Sequence, residues 1–232
     1  MDIPALTLVD WRTRVSDLYA RVRADDDHEH GHAVWRAGRD ELFSSHPQSP
    51  LPADDPLRDT GLPYWPYDPA WRFTVPLQPA DPDERELDTG DDGGLVMRRI
   101  ATVELPVGGS LDVWTMHQYA SGLFVPIKDG TAGSTDQEGA SYGAGRYLLD
   151  TAKGSWLGGD ASSIVLDLNF AYHPSCRYDD RWRCPLAAPG NTVEARVEAG
   201  ERMPWRPATR CEDLWPISRP ARGPEAFKSR GQ

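Results

Sequence analysis

Between Ser141 and Arg202 the chain gathers the side chains best suited to chemistry. Arg146, Asp167, Asn169, Tyr172, His173, Cys176, Tyr178 and Asn191 stand there among prolines, glycines and aromatics. A plain alternating ladder needs no such mixture, so a special local geometry is expected. Arg146, in YGAGRYL, is the sharpest of these residues. A guanidinium between glycines and a tyrosine can clamp a carboxylate or phosphate through paired hydrogen bonds. The competing and stronger reading is a salt bridge to Asp129, Asp150 or Asp167. Asp167 and Asn169 alternate on a predicted strand and point the same way. That pattern suits a structural polar network first and a pocket lining second. If a pocket exists, Asp129, Thr131, Arg146, Asp167, Asn169, Tyr172 and Asn191 are expected to converge on it. Arg146 would hold a small anionic or polar ligand, Asn169 and Tyr172 would direct it, and Trp114 or Tyr147 would form an apolar wall.

Cys176 and Cys184 are separated by seven residues, with His173 just ahead. Zinc would need a fourth ligand, and Cys211 lies in a Pro-rich tail. A bridge or redox pair between Cys176 and Cys184 is a second reading. A hydrolase or metal-dependent enzyme using His173 and Cys176 is a third, since His173 could lower the thiol pKa. The favoured reading is two small residues packing an irregular loop. HEHGH places His28, His30 and His32 two apart, which on a strand gives one metal-binding face. Beside three aspartates it reads better as a polar linker, so no metal or cofactor is expected. YGAGRYL lacks the rest of a dinucleotide fingerprint, and no P-loop, GxSxG or HExxH motif occurs.

The elements that must position these residues are mostly strands. Leu8, Trp11, Val15, Leu18 and Val22 form a helical stripe after Thr7, a candidate N-cap, with Arg12 among the residues facing water. A second short helix is expected over Ala33–Ser44. The prolines from Pro47 to Pro69 make an extended segment, and GLPYWPYDPAWRF should lie across the core. Strands are expected at Trp71–Leu77, Leu95–Leu105, Leu111–Tyr119, Leu123–Ile127, Gly145–Asp150, Ile164–Phe170 and Val193–Glu198. Asp81–Gly94 reads as a polar connection. Short strands without intervening helices predict a mainly β, antiparallel fold, a partly open barrel or a sandwich, with one or two N-terminal α-helices. The organisation expected is an N-terminal helical segment over 1–46, a β domain over 47–203, and a Pro/Arg-rich tail over 204–232.

Composition narrows the function classes. The formal charge is −11, which disfavours nucleic-acid and acidic-membrane binding. No apolar stretch approaches the ~20 residues of a membrane span. No basic start precedes an apolar run, so a cytoplasmic protein is expected. Three cysteines, an odd count, argue against a disulfide framework. The hydrophobic fraction, 39%, is low, and nine Trp, eight Tyr and five Phe make up for it. A structural or interaction protein is a further alternative, with the Trp-rich segment and basic tail meeting a partner or another copy.

Six blocks carry a family resemblance: GLPYWPYDP from Gly61, KDGTAG from Lys128, SYGAGRYLLD from Ser141, DLNFAYHPSCRY from Asp167, CPLAAPGN from Cys184 and AGER from Ala199. Over Trp35 to Arg202 the chain resembles the DUF1684 family of bacterial and archaeal proteins. It departs at Leu168, where the family has Phe, at His173, where Asn is usual, and at Ala187 and Ala188, which interrupt a Pro-rich run. An Asn at position 173 elsewhere means that a His173 ligand or base is not family-wide. The resemblance implies a recurrent polar site and supplies no reaction.

Overall fold

The computed structural model describes residues 4–88, 94–117, 121–135 and 139–204. The tail expected over 204–232 lies, after Pro204, outside them, as do Tyr119 and Cys211. Two helices open the chain, α1 (Pro4–Arg23) and α2 (His28–Ser45), and a single turn, α3 (Leu57–Thr60), follows. Helix α1 begins at Pro4, a turn before Thr7. Helix α2 begins five residues before the expected Ala33, because the Asp27 side chain accepts from the His30 N–H at 3.1 Å and caps it. HEHGH is therefore the first turn of a helix, not a linker. Its histidines diverge: His30 Nδ1 meets Asp25 Oδ2 at 2.6 Å, while His32 is buried.

Among the described residues seven strands follow: β1 (Arg72–Pro76), β2 (Glu84–Asp88), β3 (Gly94–Glu104), β4 (Ser110–Met116), β5 (Leu123–Ile127), β6 (Arg146–Asp150) and β7 (Ser163–Asp167). They form an antiparallel five-stranded sheet in the order β2-β3-β4-β5-β6 and an antiparallel pair β1-β7. The five-stranded sheet does not close on itself, since β2 and β6 are its edges. The fold is thus mainly β and antiparallel, with N-terminal helices.

Two expectations change. The Asp81–Gly94 connection contains β2, paired in register with β3 from Glu84↔Arg98 to Asp88↔Gly94. Glu84 and Arg98 meet at 2.6 Å across that pair. An edge strand carries charges on its open side. The Val193–Glu198 strand does not form. That segment runs beside the end of β5, with the Lys128↔Thr192 bridge before it, Val193 N–H donating to the Lys128 carbonyl and Gly130 N–H to the Ala195 carbonyl, both at 2.9 Å.

The strands are covered on both sides. Leu111, Asp112, Val113 and Trp114 of β4 are all buried, so the expected in/out alternation is lost. One cluster lies under the helices, with Trp35 at its centre, 4.9 Å from Phe170 and 5.6 Å from Tyr64. The other lies between the sheet and β1–β7, around Val103, Val113, Ile127 and Leu166. The Pro-rich segment crosses the first cluster, burying Leu62, Tyr64 and Trp65. No helix among the described residues is long and apolar enough to cross a membrane.

Candidate functional site

The residues expected to share a pocket fall into three separate buried networks. Arg146, at the start of β6, is fully buried. Its Nη2 donates to Asp129 Oδ1 at 3.0 Å and to the Val197 carbonyl at 2.8 Å. Its Nη1 donates to the Ala199 and Glu201 carbonyls. The guanidinium lies 5.2 Å from the Trp65 ring centre. Asp129 in turn accepts from Thr131 N–H and Oγ1 and from Val197 N–H, and Thr131 donates to Ser141 Oγ. The cause is the missing strand at 193–198. Backbone without a ladder must find other partners, and the planar fork of arginine collects three carbonyls at once.

Asp167 and Asn169 form the second network. Asp167 accepts from the Asn169 backbone and side chain at 3.0 and 2.9 Å and from Arg72 at 3.1 Å. Asn169 clasps both backbone groups of Asp68, which fixes the YDP turn against the end of β7. Asn191 centres the third. It accepts from Trp114 Nε1 at 2.8 Å and donates to the Asp112 and Pro126 carbonyls at 2.9 Å. Tyr147, the other expected wall, gives its hydroxyl to the Pro185 carbonyl at 2.6 Å. Of the seven residues expected to meet, only Tyr172 lines the main cavity.

That cavity, of about 380 Å³, lies between α1–α2 and the β domain. Trp11, Leu18, Trp35, Phe43 and Trp182 give it an apolar body. Its charged lining residues are Arg12, Arg39, Lys153 and Arg183, with no Asp or Glu. Two of these cations are paired: the buried Arg39 Nη2 with Glu201 Oε2 at 2.9 Å, and the exposed Lys153 with the buried Asp150 at 3.1 Å. Arg12 and Arg183 are exposed at the rim, and neither makes an ion pair among the described residues. The Trp182 indole N–H on the same wall also lacks an acceptor among them.

Glu201 is the hub behind this wall, and its role is not readable from residue type. Its carboxylate accepts from Arg39, from the Tyr178 hydroxyl and from the His173 backbone N–H at 3.0 Å. Burial pushes its pKa up, but His173, Arg39 and Tyr178 outweigh that and hold it at about 2. His173 Nε2 accepts from the Tyr142 N–H at 3.1 Å, which leaves the proton on Nδ1, 3.3 Å from Glu201 Oε1. Burial keeps this imidazole below its usual value. Nε2 is thus taken by Tyr142 and Nδ1 faces Glu201, so His173 is not placed as a base for Cys176. Among the described residues no group of three His, Cys, Asp or Glu side chains could hold a metal. The one available signal for Glu201 was its place in AGER. Gly200, at φ 76°, explains the neighbouring glycine, because a Cβ there would lie 2.6 Å from the Ala171 carbonyl.

Cys184 also lines the cavity, and both it and Cys176 are free and half-buried. The Cys176 N–H donates to Cys184 Sγ at 3.3 Å, which sets the two cysteines side by side. The Cys176 thiol, the Cys176 N–H and the Lys153 charge together outweigh burial and draw Cys184 down to about 6. The same thiol contact, with burial, pushes Cys176 up.

Comparison with known proteins agrees with these blocks. Among curated proteins none matches the chain. Among solved structures the chain is similar to the solution NMR structure of an uncharacterized protein of Haloarcula marismortui. The two are 34% identical with a TM-score of 0.52, over 77% of this chain and 95% of that one. The sequence model of one family, "Protein of unknown function (DUF1684)", matches residues 59–202. Arg146, Asp167, Asn169, Asn191 and Glu201, the residues that lock the irregular backbone, all lie inside that match, and the chain belongs to the DUF1684 family.

Proposed function

We propose that the protein binds a small amphipathic anion in the cavity between its N-terminal helices and its β domain. The observation that carries this reading is an apolar cavity of about 380 Å³ whose rim holds two guanidinium groups, Arg12 and Arg183, without carboxylate partners among the described residues. The volume is in the range of small-molecule sites. Unpaired cations beside an apolar cavity select a ligand with an acid group at one end and an aliphatic or aromatic body. The same contrast, in a chain of charge −11, favours a local site over a nucleic-acid surface. Arg146 does not take part: both of its terminal nitrogens are held by carbonyls and the Asp129 carboxylate inside the protein, and it does not line the cavity. Two adjacent free thiols suit a reducing, cytoplasmic setting.

Thermal denaturation tests this reading with decanoate and inorganic phosphate as probes. Decanoate raises the melting temperature with concentration and phosphate alone does not, because phosphate has no apolar body. The Arg12→Glu/Arg183→Glu double variant, altered only at exposed positions, loses the decanoate shift. No shift with decanoate, or one that survives this double substitution, overturns the reading.

A further inference from the structure

We propose that Cys184 and Cys176 form a thiol–disulfide exchange site on the cavity wall, with Cys184 as the attacking sulfur, Cys176 as the resolving sulfur, and a small-molecule disulfide as the co-substrate. The proposal does not depend on the cavity's accepting an anion.

Three observations carry it. The Cys176 N–H lies 3.3 Å from Cys184 Sγ, so the two cysteines sit side by side although seven residues lie between them. Cys184 faces the cavity, which gives a disulfide a route to it. The environment also separates the two sulfurs. Cys184 Sγ receives the Cys176 N–H at 3.3 Å and feels the Lys153 ammonium, both of which stabilise a thiolate. The neighbouring Cys184 sulfur and burial push Cys176 up, so it keeps its proton. One activated and one protonated thiol side by side is the division of labour that exchange requires.

The chemistry balances. The Cys184 thiolate attacks one sulfur of the external disulfide RSSR. A Cys184–SR bond forms, the S–S bond breaks, and RS⁻ leaves with the electron pair. Cys176 then loses its proton to solvent or to the departing thiolate and attacks Cys184 Sγ. The Cys176–Cys184 bond forms and a second RS⁻ leaves. The net change converts two protein thiols and RSSR into a protein disulfide and two RSH, and excess RSH reverses it. The external disulfide is the oxidant.

The test uses the full chain with hydroxyethyl disulfide, which is uncharged, followed by peptide mapping that separates Cys211 from the other two. Wild-type protein acquires a Cys176–Cys184 bond that thiols remove. Cys176→Ser stops at a mixed disulfide on Cys184, and Cys184→Ser forms no adduct at Cys176 on the same timescale. Iodoacetamide at pH 7 labels Cys184 about tenfold or more over Cys176, since only the thiolate reacts. The Cys184 labelling rate is half-maximal near pH 6, against about 8.5 for an ordinary thiol. Equal labelling of the two cysteines, a midpoint near the ordinary value, or adducts confined to Cys211 overturns the proposal. Because the probe is uncharged and exchange is read in the wild-type chain with no anion present, a missing decanoate shift leaves the exchange result unaffected, so the two readings fail separately.

Discussion

Arg39 on α2 and Glu201 in the AGER block meet at 2.9 Å although 162 positions separate them in the chain. Their side chains are 11% and 1% exposed. This pair fastens the helical layer to the β domain and forms the back of the cavity. Removing one partner leaves a buried charge without its counter-ion, which costs about 3–5 kcal/mol. Arg39→Met is therefore expected to destabilise by about that much in urea denaturation, because it also strips Tyr64 and Glu201 of a donor. Arg39→Met combined with Glu201→Gln is expected to cost less than the two single changes added together, by roughly 0.5–3 kcal/mol. Strict additivity would mean that the two side chains do not support each other.

Arg146 gives a different kind of prediction. Its fork serves three carbonyls and one carboxylate. Lysine keeps the charge but has one nitrogen and no planar geometry. Arg146→Lys is thus expected to destabilise by about 2 kcal/mol or more, the scale of stranded buried acceptors. The decanoate shift per folded molecule should stay unchanged. Wild-type stability in that variant would mean the carbonyls find water instead.

The buried imidazoles set an acid limit. His32 Nε2 donates to the Asn169 carbonyl at 2.9 Å, and burial, the dominant influence, depresses this histidine to about 4. His173 is depressed in the same direction. Below an unfolded value of 6.5 the unfolded chain therefore binds more protons than the native one, and stability falls as pH falls. At about 1.4 kcal/mol per pH unit, His32 alone withdraws roughly 3 kcal/mol between pH 6.5 and 4. Glu201 adds a loss of the same sign below 4.5, complete near 2. Urea midpoints across this range should show the decline, and His32→Gln should flatten its upper part. A decline of equal steepness in His32→Gln would assign the effect elsewhere.

Two glycines separate backbone conformation from crowding. Gly108, at φ 96°, has nothing within 4 Å of an added Cβ. Gly108→Ala is expected to cost about 1 kcal/mol from the left-handed backbone alone. Gly200, at φ 76°, would place that atom 2.6 Å from one carbonyl oxygen and 2.8 Å from another. Gly200→Ala is expected to cost several times as much. Similar melting temperatures for the two variants would argue that the AGER turn relaxes freely.

The sequence made the fold class and the family readable because both reside in local signals: short apolar runs, turn residues and six contiguous blocks. It made β2 unreadable because a polar edge strand has no apolar alternation. The start of α2 was hidden because its cap, Asp27, sits in a run of aspartates. Arg146, Asn169 and Asn191 stood out by type, but their role depends on which distant carbonyls lack a ladder, and no local pattern encodes that. Arg12 and Arg183 drew no attention for a related reason. Each is an ordinary exposed arginine until the fold sets one across an opening from the other.

The cavity has a seam. Its floor, from Lys153 to Cys184, falls inside the stretch matched by the family, while Leu8, Trp11, Arg12, Arg39 and Phe43 overhead precede that stretch. Substitutions in the first fifty residues therefore reshape the ceiling while leaving the floor, with its sulfur pair, untouched.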